Sequence, residues 1–383
     1  MSENREVVFF TIVLGKGGAE MHLLRLLNHL NRDRLKPSLC LTRAGGSYEQ
    51  ALEGDVPVHH LPTKNIDSVL LRLVRAVRPL RRFIQRKRPA VVCSVMDTAG
   101  LVAARAIAPM ERPPTFVMSA QAPPKTKREH AWKHGTWRER IFAEATRHLA
   151  PFAYRRADRV VALSKGTAQE VAAMAPSVKA RTRVIHNAGF DETGLHRMEE
   201  GVEDLPQDGP LVVACGRLAE VKGFSNLLSA FAQVRQHTAA HLWILGEGKQ
   251  RAALEAQIRR FGLAGCVRLL GFRGNPFKYM KAADLFVLSS LYEGFGNVLV
   301  EAMACGTPVV STDCPHGPGE IIEPGQSGLL VPSEDTEALA EAIVRVLKDA
   351  GLRRRLKKGA RERAQDFHAE AVTKAYEDLL LDL

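Results

Sequence analysis

The sequence predicts an α/β protein built from two doubly wound parallel sheets. Three observations carry this prediction: short apolar runs of strand length, glycine-bearing turns directly after them, and helical periodicity in the segments that follow. This order repeats along both halves of the chain, as expected for parallel sheets that helices cover on both faces. A chain of 383 residues also exceeds the usual size of one hydrophobic core, so we expect two domains.

The composition is that of a globular protein, with 45% hydrophobic and 25% charged residues. No apolar run approaches the roughly 18 residues of a transmembrane span. Val7–Leu14 is short, follows acidic residues and lacks a cleavage site, so we interpret it as a first strand. The six cysteines form no C-x-x-C pair, which favours reduced thiols in a cytosolic protein.

The net charge of +12 is divided unevenly along the chain. Residues 1–190 carry 32 Lys and Arg against 15 Asp and Glu, an excess of +17. Residues 191–383 carry 22 against 27, an excess of −5. This asymmetry predicts that the first domain faces an anionic partner, either nucleic acid or a membrane surface.

The first half opens with a strand, a glycine loop and a helix. The loop GKGGAE at 15–20 separates the strand from Met21–Leu30, which has helical periodicity. Backbone amides at Gly17 and Gly18 suit a phosphate, and a tight strand-to-helix turn is the alternative. Further strands are predicted at Leu39–Thr42, Val56–Leu61, Ala90–Val95, Thr115–Ala120 and Asp158–Leu163.

Two segments hold most of the positive charge of the first half. Val69–Arg88 combines a helical apolar stripe with eight basic residues, and Pro79 is predicted to kink or split it. Its basic face is either simply solvated, or it contacts anionic lipid headgroups or binds a lipid pyrophosphate. The segment 125–159 mixes basic residues with Trp132 and Trp137, which suits a headgroup interface or a single-stranded nucleic acid.

The second half begins with the strand Pro210–Cys215 and the loop GRLAEVKG at 216–223. A diphosphate requires cations, and Arg217 can bind it as a fork while Lys222 adds a point charge. A solvated turn is the alternative. Further strands are predicted at His241–Leu245, Val267–Leu270, Asp284–Ser290 and Gly328–Pro332, and helices at Lys249–Phe261, Asn275–Ala283 and Glu334–Asp349.

The stretch 291–310 places two carboxylates at one helix N-terminus. Glu293 lies in a glycine turn after a strand, Asn297 is the predicted N-cap, and Glu301 lies on the helix. Glu301 is then only about 6 Å along the helix axis from Asn297. Both acids can face one ligand, at a point where the helix N-terminus favours an anion.

The Glu293–Glu301 spacing resembles the donor-site signature of glycosyltransferase family 4, the retaining enzymes of the GT-B fold. The loops at 216–223 and 15–20 resemble that family's G-R-x-x-x-x-K-G and G-G-A-E loops. The resemblance implies two Rossmann-like domains facing a central cleft. It assigns 1–190 to an acceptor-binding domain, 191–209 to a linker, 210–365 to a nucleotide-sugar domain, and 366–383 to a helix that crosses back to the first domain.

The same resemblance implies roles for individual residues. Glu293, Arg217 and Lys222 become the catalytic residues, with Glu293 bonding the donor-sugar hydroxyls and Glu301 the ribose hydroxyls. Many family members have a histidine where Gln121 stands, which assigns Gln121 to the acceptor side. Separately from the resemblance, the basic face of Val69–Arg88 assigns Arg72, Arg75 and Arg82 to the acceptor side. By resemblance, the remaining donor-binding residues are Gly17, Gly18, Gly216, Phe272, Arg273, Phe295, Gly296 and Asn297.

These inferences predict a retaining hexosyl- or N-acetylhexosaminyltransferase that moves a sugar from a nucleotide diphosphate to a lipid-linked saccharide in cell-surface polysaccharide biosynthesis. UDP is the expected nucleotide by family frequency, with no cofactor and no metal, because no D-x-D pair is present. We expect a cytoplasmic protein, peripheral at the inner membrane face, that does not bind nucleic acid. The alternatives are a nucleotide-sugar epimerase of the same fold, with His316 as the acid–base candidate, and a basic non-enzymatic nucleic-acid binder.

Overall fold

The computed structural model describes residues 4–63, 69–134 and 136–383 and divides the chain into two compact units. The first unit comprises Met1–Ala188 and Ala369–Leu383, and the second comprises Gly189–His368. The segment 191–209, predicted as a linker, lies within the second unit and begins with a short helix at Glu192–Arg197.

The first unit is built on one sheet of seven parallel strands. They are β1 (Arg5–Thr11), β2 (Leu35–Leu41), β3 (Val58–His60), β4 (Val91–Val95), β5 (Thr115–Ala120), β6 (Arg159–Ala162) and β7 (Thr182–Val184). Their order in the sheet is β3-β2-β1-β4-β5-β6-β7, so the direction of winding changes between β1 and β4. Val7 and Phe9 pack into one core and Val8 and Phe10 into another, because helices cover both faces.

Helices connect the strands of this sheet. They are α1 (Gly18–His29), α2 (Val69–Lys87), α3 (Asp97–Ile107), α4 (Pro124–His134), α5 (Trp137–Arg156) and α6 (Lys165–Met174). Pro79 was predicted to kink or split the basic helix, and the split is wrong, because α2 continues through the proline. Ala76 and Leu80, on either side of the proline, are fully buried in a core shared with α3. This packing outweighs the one backbone hydrogen bond that proline removes.

The second unit repeats the architecture with six parallel strands. They are β8 (Leu211–Cys215), β9 (His241–Leu245), β10 (Val267–Gly271), β11 (Leu285–Leu288), β12 (Val309–Asp313) and β13 (Leu329–Pro332), in the order β10-β9-β8-β11-β12-β13. The winding changes direction between β8 and β11. The helices of this unit are α7 (Glu192–Arg197), α8 (Phe224–Val234), α9 (Arg251–Arg260), α10 (Phe277–Ala282), α11 (Asn297–Ala304), α12 (Pro318–Ile321), α13 (Thr336–Lys348) and α14 (Ala350–Ala364).

The last helix, α15 (Ala369–Leu381), belongs to the first unit. Its residues Tyr376 and Leu380 are buried in the core that also contains Phe9. In the described part of the chain, no helix combines the length and apolarity needed to cross a bilayer.

Candidate active site

Two loops meet at the carboxyl end of the second sheet. Residues 216–223 follow β8 and residues 289–296 follow β11, and these parallel strands are neighbours where the strand order reverses. Ligands bind at this position in open α/β sheets. The backbone N–H of Leu291 donates to the carbonyl of Val221 at 2.8 Å, and Ser289 Oγ donates to the carbonyl of Lys222 at 2.9 Å. These bonds hold the loops together.

A buried ion pair lies between the two loops. Lys222 Nζ is 2.6 Å from Glu293 Oε1, and Ser290 Oγ donates to the same carboxylate oxygen at 2.6 Å. The side chains of Lys222 and Glu293 are 20% and 11% exposed, so water screens the pair weakly. The aliphatic stem of Lys222 packs against Gly216, where a side chain would meet it at 3.4 Å. The carboxylate of Glu293 is therefore fixed by a cation and a hydroxyl.

Helix α11 begins at this site. Asn297 was predicted as its N-cap, which is wrong: Gly296 occupies the N-cap position and Asn297 is the first helical residue. Gly296 has φ = 107°, which only glycine adopts readily. The sharp turn into the helix therefore requires glycine at the N-cap position. Glu301, on the second turn, is only 8% exposed, so it is not a surface acid. Both predicted carboxylates are thus withdrawn from solvent.

The pKa shifts of two neighbouring groups show that the predicted charged residues act on one region. Burial, followed by the charge of Glu301, raises the pKa of the Cys215 thiol to about 12, against the opposing effect of Lys222. Burial and then Glu293 raise the pKa of Tyr292, which Arg217 opposes. The thiol and the phenol therefore remain protonated at neutral pH, and neither is a nucleophile.

The other predicted donor residues lie around two further loops. Phe272 and Arg273 follow β10, and Phe272 is 51% exposed. Phe295 is buried, at 2% exposure. In the first unit, Gly17 precedes α1 in extended conformation and Gly18 begins the helix, at the end of the loop that follows β1. Among the described residues, no three His, Cys, Asp or Glu side chains form a group that could hold a metal ion.

Comparisons with known proteins assign the family. Residues 198–363 match the family described as "Glycosyl transferases group 1", and residues 17–188 match "Glycosyl transferase 4-like domain". The lipopolysaccharide core biosynthesis glycosyltransferase LpsE of Rhizobium meliloti is 31% identical over 368 residues, which cover 95% of this chain and 96% of LpsE. The chain belongs to glycosyltransferase family 4.

Two further relatives of this family 4 glycosyltransferase are informative. HepE from Anabaena, in complex with UDP and glucose, has a TM-score of 0.81 and 25% identity, covering 98% of this chain and 99% of that chain. An N-acetylgalactosamine-N,N'-diacetylbacillosaminyl-diphospho-undecaprenol 4-alpha-N-acetylgalactosaminyltransferase of Campylobacter jejuni is 32% identical over 220 residues, 57% of this chain and 59% of that enzyme. The predicted family and GT-B fold are confirmed.

The acceptor-side residues predicted for this glycosyltransferase lie on separate elements of the first unit. Gln121 directly follows β5 and is half-buried, and its Nε2 donates to Ser119 Oγ at 2.9 Å. Arg72, Arg75 and Arg82 lie on α2, where Arg72 is half-buried and the other two are exposed.

Sequence reasoning missed several polar residues of the glycosyltransferase that support the predicted ones. Ser290, which holds Glu293, had a faint signal, since two serines end the apolar run of β11. Ser119 bonds Gln121 and also contacts the hydroxyl of Tyr376, 257 residues away in the sequence. No local pattern could reveal such a pairing.

Proposed function

We propose that this glycosyltransferase moves a hexosyl or N-acetylhexosaminyl group from a UDP-sugar to a lipid-linked saccharide, with retention of anomeric configuration. The observation that carries the proposal is the buried Lys222–Glu293 pair at the point where the winding of the second sheet reverses. A pyrophosphate needs cations and a sugar needs hydrogen-bond acceptors, and this pair supplies one of each.

The donor is recognised through charge and hydroxyl groups. Lys222 has three N–H donors and Glu293 takes one, so the ammonium group can also bind a phosphate oxygen. Arg217 adds a guanidinium on the same loop, and Glu301 accepts bonds from the ribose hydroxyls. The presence of UDP and glucose in HepE supports UDP-glucose as the first donor to test.

The transfer step uses no protein nucleophile in this proposal. The bond between the sugar C1 and the phosphate oxygen breaks, and its electron pair leaves with the diphosphate. The acceptor oxygen then bonds C1 on the same face, and its proton passes to the departing phosphate oxygen. Arg217 and Lys222 stabilise the charge that develops on this diphosphate, which lowers the barrier.

We also propose that turnover requires no metal ion, because these two cations supply the charge that a divalent metal would otherwise provide. Turnover should therefore persist after exhaustive chelation with EDTA, measured as nucleotide release. A complete loss of turnover that Mn²⁺ restores would contradict this prediction.

The acceptor is proposed to be membrane-borne, and α2 is proposed as the contact with the bilayer. The helix contains no Asp or Glu, and its exposed face carries Arg75, Arg78 and Arg82. On the same face, Leu71 is 43% exposed and Val74 is 69% exposed. Exposed apolar residues beside arginines suit the headgroup region of an anionic bilayer. We propose on this basis that the enzyme works at the inner face of the cytoplasmic membrane.

The pair α4 and α5 is a weaker candidate for the main contact, although Trp132 and Trp137 are 51% and 66% exposed. Glu144 lies 3.7 Å from Arg128 and 2.8 Å from Arg147, so part of the positive charge there is neutralised within the protein. The tryptophans suit a secondary contact at headgroup level.

Flotation with liposomes tests the role of α2. Changing Arg75, Arg78 and Arg82 to Gln should lower partitioning onto anionic vesicles about 100-fold, because each arginine contributes about 1 kcal/mol. The matched control changes three exposed basic residues of α14 in the second unit, Arg354, Lys357 and Lys358, to Gln. Equal loss in both variants would show that only net charge matters, and no loss in the α2 variant would remove α2 as the contact.

The function itself is tested with a panel of nucleotide sugars, assayed with a lipid-linked saccharide acceptor. We expect release of a nucleoside diphosphate and formation of a new glycoside from at least one donor. An altered sugar that remains attached to its nucleotide would instead indicate an epimerase.

A further inference from the structure

A buried chain of polar side chains joins the C-terminal helix to the end of β5. Tyr376 of α15 is 1% exposed, and its hydroxyl lies 3.3 Å from His22 Nε2 and 3.3 Å from Ser119 Oγ. Ser119 Oγ also accepts a hydrogen bond from Gln121 Nε2 at 2.9 Å. All these residues belong to the first unit. The chain therefore ends on the residue that the sequence assigned to the acceptor side.

The direction of the first hydrogen bond, between His22 and Tyr376, is fixed by the backbone. The N–H of Ala188 donates to His22 Nδ1 at 3.0 Å, so the neutral ring carries its proton on Nε2 and donates to the Tyr376 hydroxyl. The Tyr376 hydroxyl keeps its own proton, and it lies 3.3 Å from Ser119 Oγ, where either hydroxyl can be the donor. Burial, followed by the charge of Arg25, lowers the pKa of His22 to about 3, so the ring stays neutral at any ordinary pH. The bond from His22 to Tyr376 therefore keeps one direction.

The chain of hydrogen bonds orients the side-chain amide of Gln121. Its nitrogen is held by Ser119, so its carbonyl oxygen Oε1 points elsewhere, and this atom is buried without a hydrogen-bond partner among the described residues. A buried acceptor without a donor is costly, and such groups in folded proteins usually have a functional or structural explanation. A hydroxyl group of a saccharide is a donor of suitable chemistry.

We propose that Tyr376 and Ser119 are positioning residues that hold Gln121 so that its carbonyl oxygen accepts a hydrogen bond from a hydroxyl of the acceptor saccharide. This inference rests on the proposed transferase function. It gives α15 a role in catalysis beyond covering the core, although the helix contributes no group that touches the substrate.

The test is the change Tyr376→Phe, which removes one hydroxyl and keeps the ring. We expect kcat/KM for the acceptor to fall about tenfold, the effect of about one buried hydrogen bond. KM for the nucleotide sugar, and its hydrolysis without acceptor, should not change. Ser119→Ala should reproduce this result, which provides a second variant if the first folds poorly.

The matched control is Tyr154→Phe. Tyr154 is also fully buried in the first unit, but its hydroxyl donates to Asp97 Oδ1 at 2.7 Å and does not contact the chain to Gln121. This variant should lower Tm and leave acceptor kinetics unchanged. If Tyr376→Phe also lowers only Tm, the positioning role is overturned.

A double variant tests whether Tyr376 acts on the acceptor kinetics through Gln121. In a Gln121→Ala background, Tyr376→Phe should cause no further loss of kcat/KM for the acceptor, because Gln121 carries its effect. A full additional tenfold loss would overturn the inference while leaving the transferase function standing. Absence of transfer by the wild-type enzyme from every nucleotide sugar would instead overturn the proposed function, and the inference with it.

Discussion

Changing Lys222 to alanine should lower kcat by about 100-fold or more, the usual effect of removing one electrostatic stabiliser from an active site. The lysine ammonium is the cation nearest Glu293, at 2.6 Å, and belongs to the loop that should bind the donor diphosphate. Its removal leaves a largely buried carboxylate with only Ser290 as the partner described above, so some loss of stability accompanies the loss of turnover. Activity should therefore be compared well below the Tm of the variant.

The control for this change is Lys358→Ala. Lys358 is 80% exposed on α14 and forms a 3.8 Å pair with Glu362, so its loss should change neither kcat nor Tm measurably. Turnover close to that of the wild type in a folded Lys222→Ala enzyme would contradict the assignment of the diphosphate site.

Changing Gly223 to alanine should destabilise the protein by about 3–5 kcal/mol and displace the adjacent Lys222. Gly223 has φ = 61° and ψ = 24°, and an added Cβ would lie 2.0 Å from the carbonyl oxygen of Ser289. This close approach of two backbones is what brings the two loops of the site together, so relief of the collision must move one of them. Denaturant unfolding and nucleotide-binding measurements on the same samples would detect both effects.

Gly262→Ala is the control that separates the cost of a positive φ from the cost of the steric collision at Gly223. Gly262 has φ = +68°, close to that of Gly223, but an added Cβ would have no heavy atom within 4 Å. We expect a cost of about 1–2 kcal/mol, from the left-handed conformation alone. Equal destabilisation by the two changes would show that the contact with Ser289 is unimportant.

The sequence predicted the features that depend on residues close together in the chain. Strands of the two sheets are continuous apolar runs because both faces are covered, and the glycine loops follow them directly. The family resemblance assigned the loops with Lys222 and Glu293 to one site. The structure brings them together because both follow strands at the reversal point of the sheet. Their ion pair then completes a site that neither loop forms alone.

Features that depend on tertiary packing could not be predicted from local sequence patterns. Helix α14 was not predicted, although Leu352, Leu356, Ala360 and Ala364 form a buried stripe at every fourth residue, because basic residues dominate between them. The pairing of Tyr376 with Ser119 arises only when α15 packs beside β5. Tertiary contacts of this kind determine the secondary structure where the intrinsic propensity of the residues is weak or favours another conformation.

The proposed catalytic account is tested most directly by the stereochemistry of the product. Wild-type enzyme would be incubated with the UDP-sugar that the panel identifies and with a lipid-linked saccharide acceptor, and the new glycosidic bond would be followed by NMR from the earliest time points. The account predicts that UDP is released and that the transferred sugar keeps the anomeric configuration of the donor. A product with inverted configuration would contradict the mechanism in which the leaving diphosphate deprotonates the acceptor on the same face of the sugar.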